Sequence, residues 1–340
     1  MGLTHYQVLE VLPTASPEVI EAAYRARMKK IHPDHSSKHA AMAARVNDAH
    51  SILTDPDKRS EYDSTLIHPP GGLIGGKYRI VNKIAEGAIG VTYKAEHIEL
   101  PGSFVCIKHA KQISPEYEEV MSHEAQAMWD LRHHAIPAIR DYVRLDDGSV
   151  ALVMGFVEGP TLHDLVEQKG PIEAEDVAWI AERILNALKY LHYNGIIHGD
   201  LKPKNIIVQP SSHEVVLVDF GLAAVRPDDT AASLGYTPHF GSPESKKGLP
   251  LIPESDFYSL AATMLFAFSN DLEAVARRRV PSDLPDPLCD LLRRLLKTNP
   301  LDRPNWSTET LDDTLIAARQ ASFGRRRSGM KPIRHKKIKS

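Results

Sequence analysis

Cysteine is almost missing from this 340-residue chain, which holds only Cys106 and Cys289. Two thiols cannot frame a disulfide scaffold, so a small secreted module held together by bridges is excluded. At this length a hydrophobic core needs no such staple. Aromatic residues amount to only 6%. Long apolar runs are lacking too: the most apolar stretch, Phe257 to Phe268, covers 12 residues and includes Ser259 and Thr263. A bilayer span needs about 20. The opening residues Met1 to Tyr6 have neither the basic nor the apolar character of a secretory leader. The expectation is a protein of a reducing, cytoplasmic compartment with no transmembrane segment. No internal repeat is visible, and roughly 100–200 residues per domain predicts two domains.

A net charge of −3 conceals an asymmetry. From Arg319 to Ser340 there are nine Lys/Arg and no acid, so the rest of the chain carries 32 basic against 44 acidic residues, a net −12. A basic tail of this kind is either a solvated, disordered extension or a contact for nucleic acid or an anionic surface. Phe323 is the only aromatic in it that could stack on a base.

The first 63 residues read as helical. Ser16-Pro17-Glu18 is a helix start, with a capping serine, a first-turn proline and an acid at the positive end of the dipole. Ile20, Tyr24, Met28 and Ile31 then form one apolar face, and Pro33 closes the helix. Met42, Val46, Ala49 and Leu53 mark a second helix closed by Pro56, and the two are expected to pack antiparallel. Residues 64–76, with Pro69-Pro70-Gly71-Gly72 and Gly75-Gly76, have linker composition. Beyond them lie strand-like runs at 78–84, 91–95, 104–109 and 150–156. A long amphipathic helix then carries Val177, Ile180, Ile184, Leu188 and Leu191, with Asn194-Gly195 as its stop.

The loop between the first two helices carries His32-Pro33-Asp34, after a helix bearing Arg25, Arg27, Lys29 and Lys30 and before Asp55-Pro56-Asp57-Lys58-Arg59. With His5-Tyr6 at the start, the segment resembles the J domain of DnaJ-type co-chaperones. The resemblance implies that His32, Pro33 and Asp34, helped by a basic helix that steers an acidic partner, dock on a DnaK-type chaperone and stimulate its ATPase. Reading His32, His35 and His39 as metal ligands fails for want of a completing Cys or carboxylate at tetrahedral spacing.

Residues 84–94 hold Ala85, Gly87, Gly90 and Thr92 between two strands, where glycines let backbone N–H groups approach phosphate oxygens; a plain hairpin remains the alternative. Period-two alternation in Val105-Cys106-Ile107-Lys108 puts Cys106 and Lys108 on one face. Ile196 to Val208 contains His198-Gly199-Asp200-Leu201-Lys202-Pro203-Lys204-Asn205, and Asp219-Phe220-Gly221 begins 14 residues beyond Asn205. This paired spacing resembles a protein kinase of the bacterial, eukaryotic-like serine/threonine type, from about Tyr78 to Ala317.

The resemblance implies ATP and Mg²⁺ as cofactors and a role for each matching residue. Asp200 would orient the acceptor hydroxyl and take its proton. Lys202 would neutralise the moving phosphoryl group, and Thr237 would contact both. Lys108, paired with Glu124, would hold the α/β-phosphates, while Asn205 and Asp219 would hold the metal. Cys106, Met154, Gly155 and Val157 would line the adenine pocket, Met154 as gatekeeper. Glu244 and Arg303 would form a buried structural pair. Glycine at Gly199 replaces the family's phosphate-reading arginine, so activity without phosphorylation of Thr230, Ser233 or Thr237 is expected. Ala85 replaces the first loop glycine and should weaken the loop's grip modestly.

The expected fold class is α+β: a small all-α J domain, an antiparallel helix pair, at 1–65; a Pro/Gly linker at 66–77; a bilobal kinase fold at 78–317, with a β-rich N-lobe and helical C-lobe; and a basic disordered tail at 318–340. Two functions compete. In one, the chain is a serine/threonine protein kinase acting on protein substrates, with a chaperone-docking J domain. In the other it is a pseudokinase adaptor in which only the J domain works.

Overall fold

The computed structural model describes residues 5–11, 15–30, 37–59, 62, 72–87, 89–209, 214–227 and 233–324. It divides the chain into two compact units, Met1–Ile84 with Ala95–Ser103, and Ala85–Lys94 with Phe104–Ser340.

In the first unit, α1 (His5–Leu9), α2 (Pro17–Lys30) and α3 (Ser37–Leu53) surround a small core of Tyr6, Val8, Leu9, Ile20, Val46, Ala49 and Leu53. Hydrogen bonds from Tyr24 to Asn47 (3.0 Å) and between His50 and Glu21 (2.6 Å) pair rising numbers on α2 with falling numbers on α3, so the two run antiparallel as expected. The five-residue α1 goes beyond the two-helix expectation. Its backbone is tied down by Tyr62, whose hydroxyl accepts from the His5 N–H at 2.5 Å. The basic face of α2 is smaller than the sequence suggests. Arg27 turns inward, donating to the Val8 carbonyl (3.0 Å) and to Glu10 (2.6 Å), while Arg25, Lys29 and Lys30 are exposed. His32-Pro33-Asp34, and His35 with them, lie outside the described residues.

The segment read as linker is ordered in its described part. β1 (Leu73–Ile74) pairs antiparallel with the start of β2 (Tyr78–Glu86), Ile74 opposite Tyr78. Gly75 (φ 56°) and Gly76 (φ 67°) occupy the turn, closed by Lys77 N–H to Ile74 carbonyl at 3.2 Å. Two consecutive positive φ values are what a tight hairpin turn demands.

In the second unit the strand order is β3 (Gly90–His97, its part to Lys94), β4 (Phe104–Ala110), β6 (Val150–Gly155), β5 (Ile139–Arg144). β4 and β6 are antiparallel, with Cys106 opposite Met154 and Lys108 opposite Leu152. Behind the sheet, α4 (Pro115–Met128) starts on Ser114, whose hydroxyl accepts from Tyr117 N–H, with proline in its first turn. The remainder is helical: α5 (Leu162–Lys169), α6 (Ala174–Tyr193), α7 (Pro243–Lys246), α8 (Pro253–Ser269), α9 (Leu272–Ala276), α10 (Asp286–Leu295) and α11 (Leu311–Phe323). The hairpin β8 (Ile206–Gln209) and β9 (Glu214–Leu217) pairs antiparallel, as do β7 (Ile196–Ile197) and β10 (Ala224–Val225).

The predicted face of α6 is buried. The apolar run at 257–268 is the core of α8, buried on every side from Ser255 to Phe268. Each of Phe257, Phe266 and Phe268, enclosed there, contributes about 1.5–3 kcal/mol by leaving water. Among the described residues no helix is long and apolar enough to cross a membrane. The sequence puts the start of a disordered tail at 318, but α11 continues to Phe323 and buries Ala318 and Arg319. Arg319 stays inside because its guanidinium pairs with Glu182 of α6; residues 325–340 lie outside the described residues.

Candidate functional site

The site is assembled from segments far apart in the chain. Lys108 projects from β4 and its Nζ donates to Glu124 Oε2 of α4 at 2.6 Å and to Asp219 Oδ1 at 2.8 Å. Burial opposes the charge on Lys108, but Glu124 and Asp219 together outweigh it and hold the ammonium protonated above the usual lysine range. Crowding alone would raise Asp219; the Lys108 ammonium beside it holds the carboxyl below its ordinary value. Glu124 is fully enclosed and also accepts from the Phe220 N–H at 3.2 Å, which ties α4 to the segment after Asp219. Asp219 itself sits at φ 65°, a backbone position that its neighbours must enforce.

A second cluster surrounds Asp200. Lys202 Nζ donates to Asp200 Oδ2 at 2.5 Å and to Thr237 Oγ1 at 2.9 Å, and Thr237 Oγ1 donates to Asp200 Oδ1 at 2.5 Å. Asn205 Nδ2 donates to the Asp200 carbonyl (2.9 Å) and to Oδ2 (3.2 Å), leaving Asn205 Oδ1 unpartnered among the described residues. Val218 N–H donates to the Asn205 carbonyl at 2.9 Å, continuing the β8–β9 register, so Asn205 and Asp219 emerge at the same end of that hairpin. One amide oxygen and one carboxylate there form the hard-oxygen donor set that Mg²⁺ takes alongside phosphate oxygens. The residues therefore fit such an ion.

Gly90 at the end of the glycine loop is a close approach: a Cβ there would lie 2.6 Å from the His109 carbonyl oxygen. Gly87 N–H closes the loop onto the Gly90 carbonyl at 2.9 Å; Ala85 and Gly87 are exposed and Thr92 half-buried. Burial pushes the Cys106 thiol up to about 12. Met154 is buried, and the Gly155 N–H is taken by the Ala138 carbonyl at 2.9 Å. Val157 has no main-chain partner among the described residues, which leaves its backbone polar groups unengaged there.

Three residues complete the frame: Asp256, in the first turn of α8, with His192 and Trp306, which belong to no sequence motif. Asp256 of α8 accepts from His198 N–H (2.8 Å, Oδ2) and Gly199 N–H (2.9 Å, Oδ1), so it grips the backbone just before Asp200. His192 of α6 contacts Asp256 Oδ2 at 2.8 Å, and Trp306 Nε1 donates to His192 Nδ1 at 2.8 Å. Because the indole can only donate, His192 Nδ1 is the acceptor and Nε2 carries the hydrogen given to Asp256. His192 and Trp306 stand 114 residues apart, which hides the pairing from any local pattern. Gly199 has φ 75°, and a Cβ there would lie 2.4 Å from the Leu222 carbonyl oxygen, so this backbone accepts no side chain without shifting.

The expected Glu244–Arg303 pair is present, with contacts of 2.6 and 2.9 Å, and Ser255 Oγ adds a third hydrogen bond to Glu244 at 2.7 Å. Burial alone would raise Glu244, but Arg303 and Ser255 hold its carboxyl below the ordinary range.

Comparison with known proteins fits this geometry. The family model described as protein kinase domain matches residues 78–315, and that described as DnaJ domain matches residues 4–63. The serine/threonine-protein kinase PkaA of Streptomyces coelicolor is 30% identical over 264 residues, 68% of this chain and 48% of that protein. The serine/threonine-protein kinase pkn3 of Myxococcus xanthus is 30% identical over 266 residues, 69% of this chain and 48% of its own length. A probable serine/threonine-protein kinase of Clostridium perfringens is 29% identical over 266 residues, 72% of this chain and 38% of the relative. The chain thus spans about half or less of the length of these relatives.

Proposed function

The chain belongs to the protein kinase domain family, and from that premise we propose that it transfers the γ-phosphoryl group of ATP to serine or threonine hydroxyls of proteins. One observation carries the reading: Lys108 bridges Glu124 and Asp219, 16 and 111 residues away, beside an Asp200–Lys202–Thr237 triangle whose contacts span 2.5 to 2.9 Å.

Phosphoryl transfer needs positioning and charge neutralisation more than covalent chemistry. Lys108 has a third ammonium hydrogen to offer the α/β-phosphates. Val157 and Gly155 receive adenine beneath Met154 and Cys106, and Ala85, Gly87, Gly90 and Thr92 close over the phosphates. Asn205 Oδ1 and Asp219 hold Mg²⁺, which when bound spreads the phosphate charge. Asp200 aligns the acceptor hydroxyl and takes its proton as the new P–O bond forms and the bond to ADP breaks. Lys202 steadies the charge on the phosphoryl in flight, while Thr237 fixes Asp200 and Lys202. Asp256, steered by His192 and Trp306, keeps the loop bearing Asp200 in place.

The pseudokinase alternative lacks a motive, since every charged group that the chemistry requires is gathered in the cleft. Transfer of labelled phosphate from ATP to a generic protein decides: wild type transfers and Asp200→Asn does not. Absence of transfer by folded, ATP-binding wild type would establish the adaptor instead.

The N-terminal domain, residues 1–65, docks on a DnaK-type chaperone through His32, Pro33 and Asp34, with Arg25, Lys29 and Lys30 steering the approach. The DnaJ match over 4–63 and the exposed cations of α2 support this. Faster ATP hydrolysis by the chaperone on adding the protein, lost in His32→Gln, is the expected result. The setting is cytoplasmic, in keeping with two free thiols. The transferase domain runs from 78 to 317 and on through α11. The basic sequence beyond Gly324 would offer its charge to an anionic surface or nucleic acid.

A further inference from the structure

The segment leading out of the site carries an uncompensated positive charge. Thr237, bonded to Asp200, accepts at its carbonyl from Gly241 N–H (2.9 Å), and the Ser242 carbonyl accepts from Lys246 N–H (3.1 Å). Two hydrogen-bonded turns thus carry the chain from the acceptor site to Lys246 and Lys247, both exposed. The only acid between Thr237 and Leu249 is Glu244, already neutralised by Arg303.

A third cation joins them from another element. Arg278, following α9, donates Nη1 to Thr298 Oγ1 at 2.6 Å. The Thr298 carbonyl accepts from Arg303 at 3.2 Å, and Arg303 grips Glu244, two residues before Lys246. This chain of contacts sets Arg278 beside α7. Partial burial and the nearby Arg278 cation both lower Lys246, as expected when like charges share a surface. Neighbouring Arg277 and Arg279 are paired, with Glu273 (2.5 Å) and Asp271 (3.2 Å). Among the described residues Lys246, Lys247 and Arg278 meet no carboxylate, and neither does exposed Lys204, next to Asn205. Without the tail the chain is acidic overall, at net −12.

Resting on the kinase reading, we infer that Lys246, Lys247 and Arg278 select protein substrates whose phosphoacceptor lies in an acidic stretch. Solvent-exposed charge complementarity of this kind steers encounter and fixes register.

The test uses the full-length protein, Mg-ATP and three peptides that share one serine acceptor, flanked by Asp, by Asn or by Lys. Two or three exposed charge pairs predict kcat/KM about tenfold higher for the Asp peptide than for the Lys peptide, carried by KM. The preference shrinks with added salt. Lys246→Glu with Lys247→Glu reverses it, Lys246→Ala with Lys247→Ala flattens it, and KM for ATP is unchanged in both. Equal kcat/KM for all three peptides in wild type, with phosphopeptide formed, overturns the inference and leaves the kinase reading standing. A preference that survives both double variants also overturns it. No transfer to any peptide or generic protein overturns the kinase reading itself and the inference with it.

Discussion

Two ionic clusters in the second unit use the same chemistry to opposite ends. Arg303 has five N–H hydrogens and spends them all: Nε on the Lys297 carbonyl, Nη1 on Glu244 and the Glu254 carbonyl, Nη2 on Glu244 and the Thr298 carbonyl, at 2.6 to 3.2 Å. Nothing is left over for a ligand. Lys108 spends two of three, and Asp219 Oδ2 and Asn205 Oδ1 stay unpartnered among the described residues. A saturated cluster holds the fold, whereas an unsaturated one is poised to receive something. The count of unspent donors and acceptors separates the two roles, and exposure runs with it: the Asp219 side chain is 42% exposed and that of Arg303 0%.

The sharpest way to break this contrast is Arg303→Met. Stripping one partner from a saturated buried pair leaves Glu244 uncompensated, and stability should fall by about 3–5 kcal/mol in denaturant titration. Acid probes the same cluster. Because the Glu244 carboxyl is held below its ordinary value, its stabilisation is full above the usual glutamate range and is lost as pH falls through the depressed folded value. Glu244→Gln should flatten that part of the acid limb; a limb identical to wild type would remove Glu244 from the account.

Next comes Asp219→Asn, a change in the unsaturated cluster. Phosphoryl transfer should drop by about 10²–10³-fold, with the melting temperature moving by only a few degrees. A large loss of stability with little loss of rate would reverse the assignment of roles. Trp306→Phe should act more gently. It keeps the packing on Phe257, whose ring lies 5.0 Å away edge-on, but removes the donor to His192. A cost of about 1 kcal/mol, read as a several-fold fall in kcat with KM for ATP unchanged, is expected. The smallest effect is none: Thr230→Ala with Ser233→Ala should leave the rate at wild type, because Gly199 offers no cation to read a phosphate there. Abolished turnover in a folded protein would show that a receptor for that phosphate lies elsewhere.

What could be read from the chain beforehand follows a physical rule. Residues that must act within one loop, such as Asp200, Lys202 and Asn205, or Asp219 and Gly221, are fixed in spacing by the reach of a backbone, so their pattern survives in one dimension. The Lys108–Glu124 pair came through the family resemblance alone, since 16 residues of sequence fix no contact between a strand and a helix. The links from Asp256 to His192 and Trp306 were not legible, since elements brought together only by packing carry no spacing constraint. Arg27 looked like part of a solvated basic face because charge pattern alone cannot tell an arginine that salvages a loose carbonyl from one facing water. The hairpin at Leu73–Tyr78 hid inside a composition that reads as linker, because the glycines that make a chain flexible also make its tightest turns. Arg319 hid the end of α11 by counting as tail charge while buried against Glu182.

One feature of the nucleotide pocket reaches beyond turnover. Cys106 and Met154 stand opposite each other in the register of β4 and β6. With its proton held until about 12, the Cys106 thiol is no nucleophile at neutral pH. Electrophilic warheads and peroxides should therefore pass it by, and what the two sulfurs offer instead is a soft, polarizable lining suited to flat, electron-rich heterocycles held by reversible contact.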